Sequence, residues 1–200
     1  MASSIDASTS GAGGVITTAD NTGILQLKSG GTTIATVSST GLALNTGNIT
    51  LPSGAAPAFS AYLNTDQSIS LTTWTKVQFN TELFDTNNNF DSTTNYRFTP
   101  TVAGYYQINF VVGGLSGNGR AFIGAIYKNG SILVKSGIYM PSAGQLDDGS
   151  LSISHLIYFN GSSDYVEFYA YQDGGTGMIF NGNPSSSNYT VASGFLARSA

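Results

Sequence analysis

The stretch Tyr105-Tyr106-Gln107-Ile108-Asn109-Phe110-Val111-Val112 sets the fold class of this chain. Tyr106, Ile108, Phe110 and Val112 share one face of an extended backbone, and Gln107 and Asn109 take the other. That alternation is the period of a half-buried β-strand.

Working outward, similar runs recur. Residues 121–128 and 131–139 flank Asn129-Gly130, whose easy positive φ is the strongest hairpin signal in the chain. Residues 151–159 and 164–171 flank Asn160-Gly161-Ser162-Ser163, another tight connection. Residues 59–63, 75–79 and 96–98 precede the central strand, and residues 189–197 close the series. A succession of about eight to ten such strands fits a two-sheet sandwich or jelly roll.

Composition agrees. Only 9% of residues are Asp, Glu, Lys or Arg, against about 25% in ordinary soluble domains. Gly, Ser, Thr and Asn are abundant and helix formers scarce, so the fold class is all-β. Seven scattered basic residues in a chain of net charge −4 give no electrostatic footprint for nucleic acid. No stretch of eighteen apolar residues and no leader-like segment occur, so neither membrane insertion nor a secretory signal is expected. The chain has no cysteine, which removes disulfides and thiolate metal sites and leaves stability to packing.

The chain is uneven along its length. Every Phe, every Tyr and the single Trp lie from Phe59 onward, so only the C-terminal part has the bulk to fill a core alone. Residues 1–14 are Ser, Ala, Gly and Thr with little to bury and read as a flexible or docking segment. Residues 15–56 carry short alternating runs such as Gly41-Leu42-Ala43-Leu44, each with two or three apolar side chains. Such runs are too sparse for an isolated sheet, so they read as a β-repeat stalk or attachment arm, wound with two further copies; a floppy linker is the alternative. Residues 57–200 form the head.

Within the head, Phe79, Asp85, Phe90, Phe98, Gly104, Tyr106 and Phe110 fall in order at characteristic intervals. The series resembles the complement component 1q-type globular domain. Pro57-Ala58-Phe59, the Tyr127-Lys128-Asn129-Gly130 hairpin and Ser193-Gly194-Phe195-Leu196 match it too, so the resemblance runs from residue 57 to residue 196. Phe98 comes one residue late, Ile108 stands where Phe is usual, and Asn160–Asp164 replaces a tighter turn, which marks a distant member. The resemblance implies a tumour-necrosis-factor-like jelly roll assembled as a trimer. The N-terminal runs loosely resemble stalk segments of bacteriophage tail fibres.

Residues 165–171 put Tyr165, Glu167, Tyr169 and Tyr171 opposite Val166, Phe168 and Ala170. A strand with aromatics on both faces is usually buried on both, so these four are expected at the trimer interface; an exposed Tyr-rich ligand face is the alternative.

No catalytic constellation appears. His155 is the sole His, inside an apolar run without a nucleophile elbow, and zinc lacks a second His or Cys. Glu82 with Asp85, and Asp147 with Asp148, sit in polar loops where a solvated turn is the usual explanation. Asp147-Asp148-Gly149 offers oxygen ligands for calcium as the other reading; no further cofactor is expected. The sequons at Asn48, Asn129, Asn160 and Asn188 read as turn residues. The expectation is a non-enzymatic surface protein of a bacteriophage virion, a trimeric fibre or tail-tip adhesin. Its N-terminal segment would dock on other virion proteins. The loops at residues 87–95, 113–118 and 174–187, rich in Asn, Ser, Tyr and Gly, are candidates to bind host-surface glycan or protein. A trimeric capsid decoration protein is the alternative, followed by a soluble pattern-recognition module.

Overall fold

The computed structural model describes residues 24–29, 31–39, 41–44, 56–115, 120–140, 150–174, 177–179 and 190–200. The chain divides into two compact units, residues 1–51 and 52–200. No helix occurs among the described residues.

The first unit contains β1 (Leu25–Ser29), β2 (Thr32–Ser38) and β3 (Gly41–Leu44), paired antiparallel in that order within one chain. Ala35 is buried, while Leu25, Leu27, Ile34, Val37, Leu42 and Leu44 stay exposed. Among the described residues of this unit nothing covers these side chains, and a three-stranded sheet with so few of them is marginal alone.

The second unit holds β4 (Ala58–Tyr62), β5 (Gln67–Ile69), β6 (Thr75–Lys76), β7 (Thr81–Asp85), β8 (Phe90–Asp91) and β9 (Arg97–Phe98). There follow β10 (Gly104–Leu115), β11 (Arg120–Lys128), β12 (Ser131–Met140), β13 (Ser150–Phe159), β14 (Val166–Gln172), β15 (Gly177–Ile179) and β16 (Val191–Ser199). One sheet runs β13-β10-β16-β4-β7, with β15 also paired to β10 and β5 to β15; the other runs β12-β11-β14-β9-β8, with β6 also on β14. All ladders are antiparallel. Among the described strands of this unit the chain passes from sheet to sheet at eight of the twelve connections, the winding of a jelly roll.

The alternation read in residues 105–112 appears as burial: Tyr106, Ile108, Phe110 and Val112 are fully buried on β10. They meet Phe122, Ile126 and Phe168 of the other sheet in one core. Aromatic rings from both sheets interlock there: Phe59 stacks on Phe98 at 4.3 Å, and Phe79 meets Phe168 edge-on at 5.4 Å. Ile108 occupies its place because of Gly194 opposite, where an added Cβ would lie 2.6 Å from Ile108 Cδ1 and 2.8 Å from Phe59 Cε1. Any side chain at Gly194 would push into that packing.

The two tight connections differ in kind. Asn129 (φ 51) and Gly130 (φ 79) close the β11–β12 hairpin, as the left-handed pair of a type I′ turn requires. Asn160 instead hands the chain from β13 in one sheet to β14 in the other, its Oδ1 accepting from the N–H groups of Ser162, Ser163 and Asp164. Both side-chain amides are engaged, Asn129 Nδ2 donating to Asp164 at 2.8 Å and Asn160 Nδ2 to Ser163 at 2.9 Å. That is the geometry of turn residues. Asn48 and Asn188 lie outside the described residues.

The core also sets an alkaline limit. Burial pushes the Tyr106 phenol, which donates to Val102 O, up to about 12, and burial beside Glu167 raises Tyr169 to about 12. An unfolded tyrosine ionises near 10, so the folded chain holds protons that the unfolded chain releases. The stabilisation is complete below pH ~10 and is lost as pH rises through ~12. Urea melts should be flat from neutrality to pH ~9 and fall steeply above 10, with a shallower fall in Tyr106→Phe. Stability unchanged at pH 12 would contradict this.

Candidate functional site

Two surface regions stand out, one apolar and one polar. The apolar one begins with the outward side chains of the β13-β10-β16-β4-β7 sheet. The Cα register sets Ala58, Phe195, Gln107 and Leu156 in one row, and Phe84, Ser60, Ser193, Asn109 and Ser154 in the next. Phe195 is 49% exposed and Leu156 53%. Tyr105 and Tyr158 lie tilted at 5.4 Å on the same face, and a Gln107–Ser154–Asn109 hydrogen-bond chain crosses it.

Charge is the telling feature. Strands β4, β10, β13 and β16 together contain a single Asp, Glu, Lys or Arg, Arg198, and the edge strand β7 adds Glu82 and Asp85. The second sheet, by contrast, carries Lys76, Asp91, Arg97, Arg120, Lys128, Lys135 and Glu167. A solvent-facing sheet surface is usually charged, and depletion of charge with aromatic enrichment is the composition of an interface core.

In the other sheet the long outermost strand β12 leaves Ile132, Leu133 and Tyr139 exposed. Long apolar edges left uncovered invite pairing with another chain. The unit thus offers an apolar face and an apolar edge that are different surfaces.

The polar region is a cleft of about 510 Å³ lined by Glu82, residues 88–93, Asn95, Arg97, Thr99 and Thr101. Two of its residues build it. Asp91 accepts from the N–H groups of Thr93, Thr94 and Asn95 and from Asn95 Nδ2, and these bonds hold its carboxyl well below the usual carboxylate range. Asn89, buried, donates to Asn87 O and accepts from the Thr101 N–H. Others face the opening: Glu82 accepts from Ser92 Oγ at 2.6 Å through Oε1, and the Arg97 guanidinium lies 4.4 Å over the Tyr165 ring. Among the described residues Arg97 forms no ion pair. Exposed Asn88 is held at φ 54.

The residues singled out by sequence fall as follows. Phe79, Phe90, Phe98, Tyr106 and Phe110 join one core. Asp85 caps the next turn, accepting from the N–H groups of Asn87 and Phe90, and Gly104 sits where a Cβ would lie 2.4 Å from Arg198 O. Tyr165, Glu167, Tyr169 and Tyr171 lie on the outer side of the second sheet, where much of their cover comes from the same chain. Arg97 covers Tyr165, Lys76 pairs with buried Glu167, Tyr127 lies against Tyr169 at 4.0 Å, and Trp74 against Tyr171 at 5.4 Å. His155 is exposed on β13. Asp147 and Asp148 lie outside the described residues, as do most of the loops at 113–118 and 174–187. Among the described residues no three His, Asp or Glu gather as a metal group.

The sequence pointed to the 87–95 loop but to neither Glu82 nor Arg97 as its companions, since the two-residue strands β8 and β9 that bring Arg97 opposite Asp91, and the Ser92–Glu82 hydrogen bond, carry no periodic signal. The near-absence of charge from residues 104–115 and 150–159 was a signal for the apolar face that strand periodicity alone did not use.

No known protein family profile matches this chain, and no curated protein matches it by sequence. Solved structures do. Murine APRIL at pH 5.0 is similar at 10% identity with a TM-score of 0.51, over 70% of this chain and 98% of that one. The Eiger TNF of S. frugiperda is similar at 10% identity with a TM-score of 0.52, over 72% and 93%. The PRD1 vertex protein P5 matches at 17% identity over 70% and 94%, with a TM-score of 0.47 too low to argue from. The first two give the fold: a tumour-necrosis-factor-like jelly roll.

Proposed function

We propose that this chain is a non-enzymatic surface protein of a bacteriophage virion, a homotrimeric fibre or tail-tip adhesin whose N-terminal unit attaches to other virion proteins. The observation that carries the assembly is the aromatic, charge-poor outer face formed by β13, β10, β16 and β4, whose one charged residue is Arg198 beside Tyr105. A face and an edge that are distinct surfaces can join head to tail, and such heterologous contacts form a ring where the rotation between copies closes. We place the trimer contact there, in preference to Tyr165, Glu167, Tyr169 and Tyr171, because those four already have Arg97, Lys76, Tyr127 and Trp74 as cover. The exposed apolar side chains of β1–β3 gain cover if three copies meet.

The virion setting is supported by composition: no cysteine, 9% charged residues and an aromatic-free N-terminal unit ahead of the head. A trimeric capsid decoration protein would share this assembly. The polar cleft favours the adhesin, since a stabilising knob has no use for a preorganised recess. Mass measurement of the purified chain at micromolar concentration tests the trimer. Three times 20.8 kDa is expected, and a persistent monomer would overturn it. Electron microscopy of intact particles then locates the protein on fibre or capsid.

A further inference from the structure

The structure assigns the cleft between β7 and the β8–β9 hairpin to a neutral saccharide. This deepens the adhesin reading and rests on it for its biological purpose, though the site stands on its own geometry.

The cleft's volume of about 510 Å³ lies in the range of small-ligand sites, roughly 300–1,000 Å³. Apart from Phe90 its lining side chains are all polar, with carboxylate, amide, guanidinium and hydroxyl groups arranged about one recess. Such a lining offers an apolar ligand nothing and a polyhydroxylated one many partners.

Charge narrows the class. Glu82 and Asp91 outnumber Arg97 in the lining, so a phosphate, sulfate or carboxylate ligand would meet net repulsion. A sugar's hydroxyls both donate and accept, which suits a recess lined by a carboxylate and a guanidinium. Hydroxyls of one saccharide can accept from Arg97 and donate to Glu82.

The groups are also held ready. Stacking on Tyr165 fixes the Arg97 plane, Ser92 fixes one oxygen of Glu82 and leaves Oε2 to the ligand, and the five-donor cage around Asp91 fixes the turn that walls the recess. Preorganisation lowers the ordering cost of binding. A single weak sugar site becomes useful when three copies present it together.

The test uses the full chain and a panel of neutral oligosaccharides built from glucose, galactose, rhamnose and N-acetylglucosamine, beside sialylated and sulfated ones. Saturable binding to one or more neutral members is expected. Glu82→Gln and Arg97→Lys should each weaken it about ten-fold or more, because each removes hydrogen bonds to a charged group. Thr65→Asp, exposed and outside the cleft, should leave it unchanged. Both cleft variants keep side-chain volume, and their melting midpoints and masses report whether folding survives; if one unfolds, the other decides. No saturable binding to the neutral panel, preference for the anionic members, or full affinity in both variants overturns the assignment. A trimer that binds no saccharide refutes the cleft and spares the assembly, whereas a monomer that binds through Glu82 and Arg97 does the reverse.

Discussion

Phe98→Ala is expected to remove about 3–5 kcal/mol of unfolding free energy, a large share of the roughly 5–15 kcal/mol that holds a domain of this size together. Phe98 is fully buried on a strand of only two residues, paired to β14 on one side and β8 on the other. Its ring stacks on Phe59 and meets Tyr106 and Phe159 edge-on at 5.7 and 6.0 Å. Three of these four rings belong to the opposite sheet, so the substitution opens a void at the seam of the sandwich. The seam resists collapse because the Thr99 N–H donates to Asn89 O, and Asn89 is itself tied to Thr101. Urea melts check the size of the loss. A change under ~1.5 kcal/mol would mean that the seam closes over the gap.

Phe195→Asp should turn a trimer into monomers at concentrations where the parent chain stays assembled. In a ring each subunit gives one face and one edge, so one substitution acts at all three joints. An uncompensated carboxylate at a contact surface costs several kcal/mol per copy, and the described strands around Phe195 offer it only Arg198, near the end of β16. Leu156→Asp tests the neighbouring strand in the same way. Thr65→Asp, on an exposed loop, should leave the mass unchanged. Sedimentation equilibrium reads all three, with the β-sheet circular dichroism of each confirming that the subunit remains folded. An unchanged trimer mass in both Phe195→Asp and Leu156→Asp would place the contact elsewhere.

Much of the fold was legible because its signals are local. Alternation in residues 105–112, the left-handed pair Asn129-Gly130 and the confinement of aromatics to residues after 58 each depend on neighbours in sequence. The intervals between Phe79, Phe90, Phe98, Tyr106 and Phe110 reflect rings that must meet in one core. Short elements such as β5, β7, β8 and β15 escaped, since runs of two to five residues carry too little periodicity to register. The Asn160 turn was legible as tight, but that it joins two sheets instead of closing a hairpin was not, because nothing in four polar residues names the partner of the strand beyond.

The sequence by itself determined that this chain is all-β, that its core lies after residue 58, and which side chains of the central strands face inward; these follow from the two-residue period of an extended backbone and from where the large apolar side chains are. Only the tertiary structure decided what covers each outward face. Tyr165, Glu167, Tyr169 and Tyr171 read as a face in need of a neighbour, yet Arg97 and Lys76 approach it from 68 and 91 residues earlier for Tyr165 and Glu167 respectively. Tyr105, Leu156 and Phe195, in three separate strands, become one exposed, charge-poor surface only when β13, β10 and β16 pair. A strand's pattern records how much of it is buried; which strand lies beside it is set by contacts far along the chain, and from those contacts comes the apolar face.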